Sequence, residues 1–427
     1  MKKICILTLL GVFLFFNVKH SEATNGTQLI GIGALARSVG GVSIAAPQEE
    51  ITAVFANPAA MCVRGRCSAA GFELGSTFFS PDIETKVELG GNTYKAYSKS
   101  RTYMIPFLGA SAHVGESWRF GFAAYGISGL GVEYDNTAVD KPSYYDLSAM
   151  YGAPSGSITS PLAAGTDTQL SIMKVAPAVT YQPIEDLSFG ANLQVDYGKM
   201  DLNYDTQEEY GLGVQLGTQY RLNYYSVIGA TYVTRQVMKY ENAVDLDGDS
   251  LTDDLELSMP QQAGIGIAVD ALKDESLVVG SDLKWINWEG AEGYEDFDWQ
   301  DQWVISLGAQ YRALKNLNLR AGYNYGNNPV KTHNNFNGSD TITVQNKTLP
   351  KYYYETFRVV GFPAITTHHL TLGVEYVFSD SMQLHLGFVH AFEQTFTQEG
   401  SDLMGNPVKL ESSLSQNSFD FSYNWRF

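Results

Sequence analysis

The chain ends in Phe419-Asp420-Phe421-Ser422-Tyr423-Asn424-Trp425-Arg426-Phe427. An aromatic ring stands at every second position, with a polar residue at each position between. Side chains of a strand point alternately to its two faces, so one face is wholly aromatic and the other wholly polar. The pattern recurs upstream: Trp303, Ile305, Leu307, Ala309 and Tyr311 form one such face, Leu317, Leu319, Ala321, Tyr323 and Tyr325 a second, and Leu370, Leu372, Val374, Tyr376 and Phe378 a third. Any one strand of this kind suits a soluble sandwich. The set together fits a wall with lipid on its aromatic side, and tyrosines at strand ends match an interfacial girdle.

Composition agrees. The 427 residues hold 41 glycines, 26 tyrosines and 22 phenylalanines, with 17% charged residues and three cysteines. No apolar run after the first residues is long enough for a membrane helix. The formal net charge of −18 disfavours nucleic acid as a partner. About fourteen strands can be placed, beginning near residues 68, 99, 119, 169, 187, 210, 225, 254, 276, 301, 317, 367, 382 and 412. Short connections at 115–117, 182–186, 221–224, 273–275, 313–316 and 379–381 alternate with others that are mostly longer, notably 136–166 and 326–365. The expected fold is therefore all-β, a fourteen-stranded antiparallel transmembrane barrel of the bacterial outer membrane with both termini at the short-turn, periplasmic side.

The N-terminal region divides differently. Lys2 and Lys3 precede an apolar run, and Ser21-Glu22-Ala23 offers a cleavage site, so residues 1–23 read as a secretory signal peptide. Residues 31–61 are rich in glycine and alanine, keep no period of two, and close on Asn57-Pro58-Ala59. Proline lacks an N–H and restricts the residue before it, so this is a fixed turn. A fourteen-strand wall encloses more space than its own side chains fill, so residues 24–66 are expected to plug the lumen and residues 67–427 to form the barrel. Outside the cytoplasm Cys62 and Cys67 suit a disulfide, with free thiols the alternative.

These residues resemble a known family. Ala36-Arg37, Gly40-Gly41 and Asn57-Pro58-Ala59 after a signal peptide, the strand count and a terminal phenylalanine are similar to the long-chain fatty-acid transporters of the outer membrane, the FadL/OmpP1/TodX group. Further points of likeness are the stretch from Leu255 to Pro260 on the eighth strand, Trp285-Ile286-Asn287-Trp288, and Asn328-Pro329-Val330. The resemblance implies a passive transporter, not an enzyme, that takes up long-chain fatty acids or hydrocarbons. It implies a hatch, containing Arg37, Gly40, Gly41, Asn57, Pro58 and Ala59, that rests against a kinked third strand through which substrate leaves into the bilayer. Here that strand carries Gly126, Gly129 and Gly131, and glycines inside a strand mark bulges and close approaches. A secretion-associated barrel and a hydrophilic porin are the rival readings. A monomer embedded in outer-membrane lipid is expected.

Four sites remain. A fatty-acid carboxylate needs a luminal cation, for which Arg320, Lys284 and Arg235 are candidates. Asp245, Asp247, Asp249, Asp253 and Glu256 have the spacing of a calcium loop, although Ser250 replaces the usual glycine and a solvated acidic loop is the plain alternative. The connection between the fifth and sixth strands is short, so Tyr352, Tyr353, Tyr354, Phe357 and Phe362 in the loop 326–365 are expected to supply apolar capture surface instead. Gly31-x-Gly33-x-x-Ala36 imitates a dinucleotide fingerprint, but no strand precedes it and no βαβ unit follows.

Overall fold

The structure is a computed structural model. It describes residues 25–45, 50–61, 70–139, 167–202, 206–247 and 251–426. The expected signal peptide, Cys62 and Cys67 with their possible bridge, and Asp249 lie outside the described residues.

The wall strands are β1 (Gly71–Leu89), β2 (Tyr103–Val114), β3 (Trp118–Glu133), β4 (Asp167–Ile184), β5 (Leu187–Asp201), β6 (Gln207–Asn223) and β7 (Ser226–Val233). They continue as β8 (Gln262–Asp270), β9 (Leu277–Ile286), β10 (Gln302–Leu314), β11 (Leu317–Gly326), β12 (His368–Ser379), β13 (Met382–Ser401) and β14 (Pro407–Arg426). Each pairs antiparallel with the next, and β14 returns to β1 from Gly71↔Arg426 to Leu89↔Val408. Closure leaves the wall no terminal edge strand. The C-terminal alternation has the expected sense: Phe419 and Trp425 point outward at 61% and 52% exposure, while Asp420, Ser422 and Asn424 are buried inside. Apolar side chains face out and polar ones in, as a lipid-embedded barrel requires. One end carries the short turns at 115–117, 185–186, 224–225, 271–276, 315–316 and 380–381, and the other carries the longer loops.

One strand lies elsewhere than expected. The stretch from Leu255 is not the eighth wall strand. Asp253–Met259 pairs with Gln236–Val244 in a separate two-stranded ribbon, and the eighth wall strand begins after it, at Gln262. Pro260 has no N–H for a ladder and separates the two. The ribbon folds into the mouth of the barrel, where Tyr240 and Met238 lie against Gly198 on the inner face of β5. The loop 327–367 also turns inward. It forms a hairpin (Thr341–Val344 with Lys347–Pro350), a helix α3 (Lys351–Thr356) and a π turn (Phe357–Gly361). Tyr352, Tyr353, Tyr354 and Phe357 are buried there and Phe362 half-buried, so they cap the mouth and are not an exposed capture surface.

Inside the wall, residues 25–28 form a tight turn closed by paired backbone bonds between Asn25 and Gln28, α1 (Ala34–Ser38) and α2 (Glu50–Ala56) follow, and a 3-10 turn (Pro58–Met61) ends the described hatch. These residues are almost entirely buried and touch the wall on every side. The wall makes room by omitting side chains. A methyl group on Gly190 would lie 2.2 Å from the backbone N of Ala59, and one on Gly217 would lie 2.0 Å from Oδ1 of Asn57.

Candidate functional site

The wall is interrupted between β2 and β3. Their ladder runs from Val114↔Trp118 to Phe107↔Tyr125 and stops, so the next rung would set Pro106 against Gly126. Proline cannot donate to that ladder. Above this point β2 stays paired with β1 up to Phe79↔Tyr103, and β3 stays paired with β4 through a bulge between Gly126 and Ser128. The bulge adds a residue and bends the strand. Every residue from Tyr125 to Val132 is buried, so the alternation of a wall strand is lost and the segment has moved into the lumen. Contact across the gap resumes at its top, where Lys99 N donates to Glu133 O at 2.9 Å and Glu133 N to Ser98 Oγ at 3.0 Å. The result is a window framed by residues 103–106 and 126–132. Gly126, Gly129 and Gly131 lie within this bend.

Asn57 does not rest on the bend. Its Nδ2 donates to Ile44 O at 2.8 Å and to Thr218 O at 3.0 Å, and its Oδ1 accepts from Ala59 N at 3.1 Å. Ser188 Oγ donates to Ala59 O at 2.8 Å, and Thr180 Oγ1 donates to Pro58 O. Asn57-Pro58-Ala59 therefore sits against β4, β5 and β6 near the short turns, and its neighbour Phe55 reaches β3 at Tyr125, 5.4 Å between rings. The partners of the bend are residues 27–29. Leu29 N donates to Ile127 O and Gly129 N to Thr27 O, both at 3.1 Å. Nothing in the period or composition of residues 25–29 singled them out.

The other hatch residues are pinned around the lumen. Arg37 is fully buried and donates through Nε to Asp420 Oδ1 at 2.8 Å and through Nη2 to Ser418 Oγ at 2.6 Å, both on β14. Gly40 and Gly41 have φ of 71° and 87°, which favour glycine, and Gly40 N donates to Thr371 Oγ1 on β12 at 2.9 Å. On β9, Oδ2 of Asp282 accepts the consecutive amides of Ser43 and Ile44 at 2.7 and 3.0 Å.

Beside the window lies a cavity of about 30 Å³ lined by Tyr125, Ile127, Phe55, Ile44, Lys174 and Lys284 among others. The Tyr125 hydroxyl is buried without a hydrogen-bond partner. Lys174 is engaged by Gln194 at 2.7 Å, Gln236 at 2.8 Å and Asp196 at 3.1 Å. Lys284 Nζ stands 5.9 Å from the centre of the Phe55 ring, with the Asp282 carboxylate on the same luminal face. Of the three expected cations, Lys284 alone lines this cavity. Arg320 faces inward but is bound to Glu375 and to Gln310 Oε1 at 2.7 Å. Arg235 is outside the wall, paired with Glu292 at 2.8 Å, because it lies in the connection that follows β7. Tyr125 and Lys174 were missed because their relation to Lys284 depends on barrel closure.

At the long-loop end, carboxylate oxygens of Asp245, Asp247 and Asp253 lie within 4.8 Å of one another. The Lys347 ammonium sits among them, 2.7 Å from Asp253 and 3.2 Å from Asp247, and these two bonds raise its pKa. Glu256 is not part of the cluster. Calcium takes six to eight oxygens, and the position it would take is held by a side-chain cation.

Residues 199–337 match the family described as outer membrane protein transport protein (OMPP1/FadL/TodX). No curated protein sequence matches the chain significantly. Among solved structures, the toluene transporter TodX of Pseudomonas putida is 21% identical with a TM-score of 0.63, covering 93% of this chain and 99% of its own. A FadL homologue of Pseudomonas aeruginosa is 13% identical at a TM-score of 0.63, covering 94% of this chain and 100% of its own. The monoaromatic hydrocarbon channel CymD is 17% identical at 0.55, covering 93% and 98%. At these identities the likeness is one of fold.

Proposed function

We propose that this chain, whose residues 199–337 match the OMPP1/FadL/TodX family of outer-membrane transport proteins, is a passive channel for hydrophobic compounds. They enter from the long-loop side, which faces outward, and leave sideways through the window between β2 and β3. The short turns and both termini face the periplasm. The observation that carries this reading is the inward bend of β3 at residues 125–132, which opens the wall at one place while the hatch fills the lumen below. A buried apolar cluster runs from Ile127, Leu130 and Val132 to Tyr352 and Phe357 beneath the cap, so an apolar solute passes among side chains that solvate it better than water does. The test is uptake of radiolabelled oleate and toluene into vesicles holding the purified protein. No gain over protein-free vesicles for either compound sinks the proposal.

The finer reading is a substrate with an apolar tail and an acidic head, such as a long-chain fatty acid. The cavity beside the window offers the Lys284 ammonium and the free Tyr125 hydroxyl, two donors for a carboxylate. Lys284→Met is expected to slow oleate uptake about tenfold, the loss of one charged hydrogen bond, and to leave toluene uptake unchanged. An equal effect on both compounds removes the carboxylate. Calcium binding by Asp245, Asp247 and Asp253 requires displacing Lys347, so Lys347→Gln is expected to gain calcium heat by calorimetry over the parent protein. No heat in either protein excludes the ion there.

A further inference from the structure

On the outer face of the wall β6, β7, β8 and β9 enclose a groove of about 470 Å³, within the usual size range of small-molecule pockets. Tyr220, toward the end of β6, and Ile267, toward the end of β8, set it near the short-turn end. It exists because small side chains stand among bulky ones. Ala230 lies directly opposite Ile265, and Ser281 directly opposite Ile267, and opposed residues of a pair share a face. Ile265 and Ile267 are exposed on that face, as are Tyr220 and Leu283. Between these ridges the groove reaches the backbone of Gly229 and Gly266, which oppose each other on the rung between. Among the described residues no charged side chain lines it.

Lipid tails are as apolar as this rim, so exclusion of water does not choose the occupant. Fit does: a flexible chain laid between the ridges gains dispersion contacts that a flat wall cannot give it. Charge adds a second preference. Arg221, at the end of β6, is held by Glu185 at 2.7 Å and Asp186 at 2.6 Å. Lys273, in the turn after β8, instead has its Nζ 5.3 Å from the centre of the Tyr225 ring, and among the described residues it forms no ion pair with a carboxylate. We propose that the groove holds one acyl chain of a membrane phospholipid whose phosphate is met by Lys273. The Tyr225 ring holds the ammonium at the level of the headgroups. A second barrel fits less well, because two convex walls in contact leave a groove unfilled. The site rests on the wall being embedded in lipid with its short turns toward the periplasm, and not on what passes through the lumen. The periplasmic leaflet therefore supplies the lipid.

The purified protein in detergent is titrated with palmitoyl-oleoyl-phosphatidylglycerol, and native mass spectrometry counts the lipid that stays bound. One lipid per barrel is expected for the parent. Ala230→Leu with Ser281→Leu fills the groove from outside with side chains that a lipid-facing strand accepts, and is expected to weaken binding at least about tenfold. Lys273→Gln is expected to weaken it about fivefold, the worth of one cation near an anionic headgroup, and to leave binding of palmitoyl-oleoyl-glycerol, which has no phosphate, unchanged. A parent that keeps no lipid overturns the site, and so does equal retention after the groove is filled. Equal retention by Lys273→Gln overturns the phosphate contact. A dimer in the parent that is lost on filling the groove assigns it to a second copy and overturns the lipid. Far-UV circular dichroism equal to the parent's shows that the variants are folded. Toluene uptake by all of them is expected at the parent rate, since none of these side chains lines the lumen. A parent without uptake sinks the channel and leaves the lipid site standing.

Discussion

Single atoms decide how the hatch meets the wall. Gly190→Val would put a branched side chain where Pro58 and Ala59 already lie, so the hatch cannot seat at its short-turn end. A steady conductance in planar bilayers is the expected result, against none for the parent protein. The buried Arg37–Asp420 pair responds differently to losing one partner or both. Asp420→Ala strands a buried guanidinium, a loss of roughly 3–5 kcal/mol, whereas Asp420→Ala with Arg37→Met removes both charges and restores much of it. Denaturant unfolding in detergent micelles measures both. Asn57 and Gly129 share no contact, so the uptake effects of Asn57→Ala and Gly129→Val are expected to add as free energies. Asn57-Pro58 was legible as a turn because proline acts on its own neighbours. Its docking partners were not, since Thr218 and Ser188 lie more than a hundred residues away.

Elements keep their local rules and lose their addresses. The alternation that marks strands survived in nearly every wall strand, and the turn residues located the short connections. The ribbon of Gln236–Val244 and Asp253–Met259 reads as strand in the same way, and only its pairing reveals that it stands inside the mouth. Tyr352-Tyr353-Tyr354 likewise reads as exposed apolar surface, because no local pattern tells a loop that folds in from one that folds out. The cap is tied by a polar knot. His333 lies 2.7 Å from both Glu355 and Asp298, and Lys331 lies 2.7 Å from Asp298. Burial alone pushes the Asp298 carboxyl up, but the Lys331 ammonium and His333 outweigh it and hold it below its ordinary 3.8. A depressed carboxylate stabilises the folded form above its ordinary value, and that contribution is lost as pH falls through the lower folded value. Tryptophan fluorescence, which includes Trp288 and Trp299 beneath the cap, is therefore expected to stay constant from neutral pH to about pH 4 and to change below it. In Asp298→Asn that acid step should be absent.

At the scale of the whole molecule, strand number, closure and the two unlike ends were all readable, because lipid outside and polar groups inside impose one alternation on every strand. The window was half readable. The glycines of β3 announced a bend, but the role of Pro106 emerges only when β2 lies beside β3 and a rung is missing. With the lumen filled by hatch, ribbon and cap, the parent protein is expected to pass apolar solutes without steady ion current, and single-channel recording checks this. The glycines of the wall have one more consequence. At Gly190 and Gly322 the barrel touches hatch main chain, not hatch side chains. Main chain is common to every sequence, so at these two points the seat is a mould of a path and not of an identity. A hatch of different sequence that follows the same course and keeps Arg37 and Asn57 should therefore seat in this barrel, while one added methyl at Gly190 or Gly322 should reject it.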